Sequence, residues 1–331
     1  MNIRRCRAAF IACGSILAIG TMLGAQDIPA NEPQSVDGTR ARGQSEGRGA
    51  REVIPHKPNP HKAGALTAGS TGVITPNITS HGGDVMITPN VYLIWYGNWN
   101  QSNGSDTATG QQIVRDFLFG LNGSNYYNTN TSYYGPSGNV SGTFTVGAEY
   151  RDSYSQGTRL SDSRVQAVVS HAISTGLSKD ANGIYFVLTS SDVSESSGFC
   201  SQYCGWHTYG TISGTNIKYA FVGNANRCLR SCAAQSVGPN GNAGVDGMVS
   251  VIAHELEETN TDPKLNAWYD SNGSEDADKC AWTFGSNQHQ SNGAYYNVTL
   301  PTVTGGKRNF LIQRELDSSS KCYVDYVSKT Q

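Results

Sequence analysis

The chain has 331 residues, of which 15% are charged and 37% hydrophobic, with 38 Gly and a net charge of −2. A charged fraction well under the roughly 25% of ordinary soluble domains, with no basic excess, excludes the electrostatic footprint of a nucleic-acid binder. Coiled-coil, collagen-like and polytopic membrane classes are excluded as well, and the length suits one large domain or two small ones.

The charge is unevenly placed. Residues 1–62 carry nine Lys/Arg against five acids, and the remainder carries 15 bases against 21 acids. Arg4, Arg5 and Arg7 precede an apolar stretch over 8–23 and small residues ending at Ala25, the layout of a secretory signal peptide over 1–25. Residues 26–68 hold five prolines and almost no large apolar side chains, so they read as a disordered linker or a propeptide. A single α/β domain is expected over 69–331. The expected location is extracellular or periplasmic, with no stable membrane association once the signal is removed.

In chain order, Val91-Tyr-Leu-Ile-Trp-Tyr96 reads as a buried strand ending at Gly97. A loop over 98–110 leads to a helix over 111–121, with Ile113, Phe117, Leu118 and Leu121 on one stripe. A Tyr/Asn/Gly loop precedes a strand over 143–150 in which Phe144 and Val146 alternate inward. Ser161 caps a helix through Thr175, with Val165, Val168, Val169, Ala172 and Ile173 facing in. Strands follow over 184–188 and 217–222, then a helix over 245–260. The tail, 280–326, alternates loops with short strand-like pieces. This order predicts an α/β fold, a layered mixed sheet with helices that is stabilised by disulfides and admits a zincin-like arrangement.

Six cysteines lie beyond the signal segment: Cys200, Cys204, Cys228, Cys232, Cys280 and Cys322. An even number in an exported chain predicts three disulfides rather than a thiolate zinc site. Cys280 with Cys322 is the favoured pair, leaving the two C-x3-C segments to close locally or on each other.

The residues with chemistry lie at 253–270. His254 and Glu258 are four apart and share a helix face, and Glu255 adjoins His254. The pattern resembles the H-E-x-x-H helix of zinc peptidases with Glu258 in the second His position, and Glu is an acceptable zinc ligand. A third ligand is expected from Asp262 or Asp270, reached because Pro263 ends the helix, or from His207 on the Cys204-Gly-Trp-His loop. The cofactor expected is Zn²⁺, with Ca²⁺ or Mn²⁺ as other ions the carboxylates would accept. Glu255 is then the general base. The competing reading makes Glu255, Glu257 and Glu258 a solvated acidic face. No G-x-S-x-G elbow marks a serine hydrolase, and His171 reads as the edge of a helix core.

Several landmarks occur together: Val91-Tyr-Leu-Ile-Trp-Tyr-Gly97, Phe199-Cys-Ser-Gln-Tyr-Cys-Gly-Trp-His207, Gly223-Asn with Cys228 and Cys232, Pro239-Asn-Gly with Gly244-Val-Asp-Gly-Met248, and the late Cys280 and Cys322. Over roughly 85–325 they resemble the EXORDIUM / phosphate-induced protein 1 family. The resemblance implies a secreted, disulfide-bonded protein. Plant members are associated with the cell wall and with growth and phosphate responses, without an established enzymatic activity. Those members lack the His-Glu pair found here at His254-Glu255 and have Asn where this chain has Asp262, so the resemblance implies a microbial-type member that keeps the helix.

Two functions follow as expectations. One is a zinc-dependent peptidase-like hydrolase acting on a peptide or protein. The other is a non-catalytic extracellular protein that meets a cell-wall polysaccharide through Tyr and Trp near 92–99, 126–134 and 203–209.

Overall fold

The computed structural model describes residues 52–55, 74–286 and 288–327. The signal-peptide segment lies outside them, as does most of the stretch read as linker or propeptide.

The body is a six-stranded mixed sheet. Its strands are β1 (Glu52–Pro55), β2 (Asn90–Tyr96), β3 (Thr145–Asp152), β4 (Gly183–Thr189), β5 (Tyr203–Ile212) and β6 (Thr215–Gly223), in the spatial order β1-β5-β6-β4-β2-β3. Strands β3, β2, β4 and β6 are parallel neighbours, while the β5–β6 hairpin and the β1–β5 edge are antiparallel. β1 falls inside the 26–68 stretch and pairs Glu52 with His207 across the sheet edge, where β5 would otherwise present an open row of backbone groups.

Parallel strands buried on both faces need continuous apolar runs. β2 and β4 supply them: Val91, Leu93, Ile94, Ile184, Phe186 and Val187 are all fully buried. β3 is the outer strand and mostly exposed. Phe144 is buried just before it, but Val146 is 42% exposed on this edge strand rather than inward as its alternation with Phe144 predicts.

The helices connect and cover the sheet. They are α1 (Ala108–Leu121), α2 (Asp162–Thr175), α3 (Ala243–Thr261) and the single turn α4 (Asp276–Lys279). Thr107 and Ser161 cap α1 and α2 through their side-chain oxygens, and the expected apolar stripe of α1 is buried whole. Side chains alternate along a strand. On β5, Gly205 lies against Val251 of α3 and Gly210 against Gln166 of α2. These positions have opposite parity, so α2 and α3 cover opposite faces.

The stretch 203–212, read as a loop around His207, is instead the longest strand. Its Cys, Gly, His and Thr content hides the strand pattern, and the hairpin partner β6 supplies its ladder.

The cysteines pair Cys200–Cys228, Cys204–Cys232 and Cys280–Cys322. The two C-x3-C segments therefore close on each other as two parallel rungs, and Cys280–Cys322 ties the end of α4 to the C-terminal hairpin. No helix among the described residues is long and apolar enough to cross a membrane.

Candidate metal centre

α3 begins at Asn242, whose side chain accepts from the Val245 amide at 3.1 Å, and every residue from Gly244 to Thr261 is buried. A helix buried all round is ordinarily apolar all round. This one carries His254, Glu255, Glu257 and Glu258, none more than 1% exposed. The solvated-face reading is thereby overturned: the helix is roofed by α4 and the tail on the side where its acids point.

Glu258 is the centre of the cluster. Its Oε1 lies 3.0 Å from His254 Nε2, one turn back on the same face. Its Oε2 lies 3.5 Å from His207 Nδ1, which reaches across from β5. Glu255 Oε2 is 3.4 Å from the same His207 nitrogen. From the third side α4 delivers Asp278, whose Oδ1 is 3.6 Å from His254 Nε2 and whose backbone amide donates to Glu258 Oε1 at 3.1 Å. Glu275, the N-cap of α4, faces His207 Nε2 at 3.6 Å. Close approach of β5 to α3 makes this meeting possible. A Cβ on Gly205 would stand 2.5 Å from Val251 Cγ1 and 3.0 Å from Glu255 Oε1, and His207 is the next residue on that face.

The electrostatics favour positive charge here. Burial alone would lower the pKa of His207, but the Glu255 and Glu258 carboxylates overturn that and raise it to about 10. His254 goes the same way, well above the ordinary value, against its burial and chiefly because of Glu258. Glu258, buried yet flanked by both imidazoles, is held below the usual carboxylate range. A further acidic layer lies behind. Burial and neighbouring carboxylates push Glu257 and Glu315 well up, and burial with Glu258 takes Asp276 to about 7. Asn130 donates to Glu257 Oε2, and Asn260 to Tyr127 Oη at 2.7 Å.

Two triads bring their ligand atoms within 4.8 Å of one another, His207–Glu255–Glu258 and His254–Glu258–Asp278. Nitrogen and carboxylate oxygen donors of this kind suit zinc and related divalent ions. Of the residues singled out in the sequence, His254, Glu255, Glu258 and His207 come together. Asp262 and Asp270 do not join either triad. Asp262 caps the end of α3 and accepts from the amides of Asn266 at 2.5 Å and Ala267 at 2.7 Å, so its carboxylate organises the turn after Pro263. Asp270 accepts from the amides of Asn272 and Ser274 and pairs with Lys279. Asp278 and Glu275 carried no sequence signal, since twenty residues separate Glu258 from Asp278 and only the fold of the tail reunites them.

The aromatic residues singled out for sugar stacking are mainly core. Tyr92, Trp95, Tyr96, Trp99, Tyr126, Tyr127, Tyr133, Tyr203 and Trp206 are buried, Tyr209 is half-buried, and Tyr134 is 52% exposed.

Residues 78–322 match the family model described as the phosphate-induced protein 1 conserved region. Among curated proteins, the chain is 32% identical to "Protein EXORDIUM-like 3" of Arabidopsis thaliana over 79% of this chain and 89% of that one. It is 34% identical to "Protein EXORDIUM-like 5" of the same plant, over 68% and 70%, and 32% identical to "Protein PHOSPHATE-INDUCED 1" of Nicotiana tabacum, over 54% and 62%. No solved structure matches. The family match spans strands β2 to β6, the paired cysteines and the α3 cluster together, and the chain belongs to the EXORDIUM / phosphate-induced protein 1 family.

Proposed function

We propose that this protein is an exported, non-catalytic member of its family whose α3 cluster holds a divalent cation, zinc by its donor set, as a structural centre. The observation that carries this reading is the closure of the cluster: His207, His254, Glu255 and Glu258 are each 1% exposed or less. A peptidase metal needs an open coordination position that a scissile carbonyl can reach. A metal that ties β5, α3 and α4 together needs only a site shielded from substrate.

Other observations agree. Three carboxylates and two imidazoles in a closed interior are costly unless a cation compensates them. Three disulfides suit an oxidising compartment. The relatives bear the names EXORDIUM, EXORDIUM-like and PHOSPHATE-INDUCED 1, which accord with the extracellular, wall-associated reading that the family resemblance implies. The partner on this reading, a cell-wall polysaccharide or an extracellular protein, is met at the surface and not at the metal.

The discriminating experiment incubates the zinc-loaded protein and its Glu255→Gln variant with a broad peptide library. The expected result is no cleavage above blank from either. Zinc-dependent cleavage by the wild type that Glu255→Gln abolishes would establish the peptidase instead, with Glu255 as general base.

A further inference from the structure

The two triads share Glu258, whose two oxygens face different imidazoles. His254 stands at Oε1 with the Asp278 carboxylate on its Nε2, while His207 stands at Oε2 with Glu255 beside it. Each triad closes within 4.8 Å by itself, and the five residues do not form one group at that limit. A zinc ion with bonds of about 2.0–2.2 Å places its ligand atoms no more than about 4.4 Å apart. One ion therefore serves one triad and leaves the other with a single imidazole set against two carboxylates. We infer that the cluster is a two-cation centre in which the Glu258 carboxylate bridges the ions, one held by His207 and Glu255, the other by His254 and Asp278. This deepens the reading of the cluster as a metal site and rests on it.

Three features support two ions over one. First, the donor sets are equivalent: each triad offers one imidazole nitrogen, one terminal carboxylate and one oxygen of the shared carboxylate. Carboxylate-bridged pairs of ions stand about 3.5–4 Å apart, a spacing the two oxygens of a single side chain can span. Second, Glu258 Oε2 and both ring nitrogens of His254 are buried without a hydrogen-bond partner, although Glu258 Oε1 is only 3.0 Å from His254 Nε2. Side chains packed against one another without aligned hydrogen bonds are placed as ligands are, with their lone pairs converging on a third body. Third, the neighbours position the ligands. His207 Nδ1 lies toward Glu255 and Glu258 while its far nitrogen stands 3.6 Å from Glu275, and the Asp278 amide holds Glu258 Oε1 in place. The nearby base Lys279 is engaged by Asp270, and Arg314 donates to Thr283 at 2.9 Å, so both of these cations have partners outside the cluster.

The test is metal stoichiometry on the purified, disulfide-intact protein after zinc reconstitution and dialysis, read by elemental mass spectrometry beside zinc X-ray absorption. The expected result is two zinc per chain and a metal–metal vector at about 3.5–4 Å. Asp278→Asn should reduce the count to one, while Glu258→Gln should empty both positions. One zinc per chain in the wild type, with no metal–metal vector, overturns the two-cation centre and leaves the structural-metal reading standing. No zinc overturns both. Should the variants fail to fold, cobalt substitution of the wild type decides: magnetically coupled ions at two per chain support the bridge, and isolated high-spin cobalt at one per chain overturns it.

Discussion

His254 has Glu258 at 3.0 Å on one side and Asp278 at 3.6 Å on the other, in a closed interior. Replacing it with alanine leaves the buried Glu258 carboxylate and the partly exposed Asp278 carboxylate facing each other across an emptied space. His254→Ala is expected to lose metal and to destabilise the protein by about 3–5 kcal/mol, the scale for stripping one partner from a buried charged set. Denaturant unfolding alongside metal analysis measures both. A quite different residue tests the electrostatics of the sheet. Burial would raise the pKa of Glu149, but hydrogen bonds from Arg115, at 2.7 Å through two nitrogens, and from Trp95 Nε1, at 2.8 Å, hold it below the ordinary 4.5. A lowered carboxylate contributes stability above its unfolded pKa, and that contribution is lost as pH falls through the folded value. Glu149→Gln should therefore cost about 1 kcal/mol at pH 7, because both partners are a quarter or more exposed and water screens the pair, and almost nothing in acid below the lowered folded value. Urea titrations at the two pH values check it, and an equal cost at both would contradict it. These residues differed in legibility. His254, Glu255 and Glu258 declare themselves by spacing alone. Asp278 does not, because its place depends on the capping box of α4 and the Cys280–Cys322 link beside it.

Among the elements, β5 decides the geometry. Gly205 lets the strand approach α3 closely enough for His207 to reach Glu255 and Glu258. Gly205→Ala should overpack this contact, cost about 1–3 kcal/mol and weaken zinc retention, although residue 205 ligates nothing. Normal retention in competition with a chelator would contradict the role given to this approach. The paired rungs Cys200–Cys228 and Cys204–Cys232 fasten the start of β5 to the turns before α3. Removing the second through Cys204→Ala with Cys232→Ala opens a loop of 28 residues and should cost about 3–4 kcal/mol in a denaturant titration. Strands β2, β4 and β6 and all three long helices were legible, because continuous apolar runs and 3.6-residue stripes survive in single segments. β5 was not: its cysteines, glycines and histidine serve disulfides, a helix contact and the cluster rather than an apolar pattern. The inward placement of Val146 also failed, since a strand's alternation does not say which face a neighbour will cover.

At the scale of the whole molecule, the sheet, its two helical layers and the disulfides enclose a helix that carries five buried ionisable groups, Asp246, His254, Glu255, Glu257 and Glu258. An uncompensated core of this kind should be marginal. Cation binding to the folded state adds stability in proportion to its affinity, because the unfolded chain has no assembled site. The measurement that tests this most directly is thermal unfolding of one disulfide-intact preparation, first as zinc-loaded protein, then after chelation, then after zinc is returned. The account predicts a midpoint lowered by roughly 10 °C or more on removal and restored on return, as expected for a few kcal/mol in a domain of this size. An unchanged midpoint across all three states would contradict a structural metal.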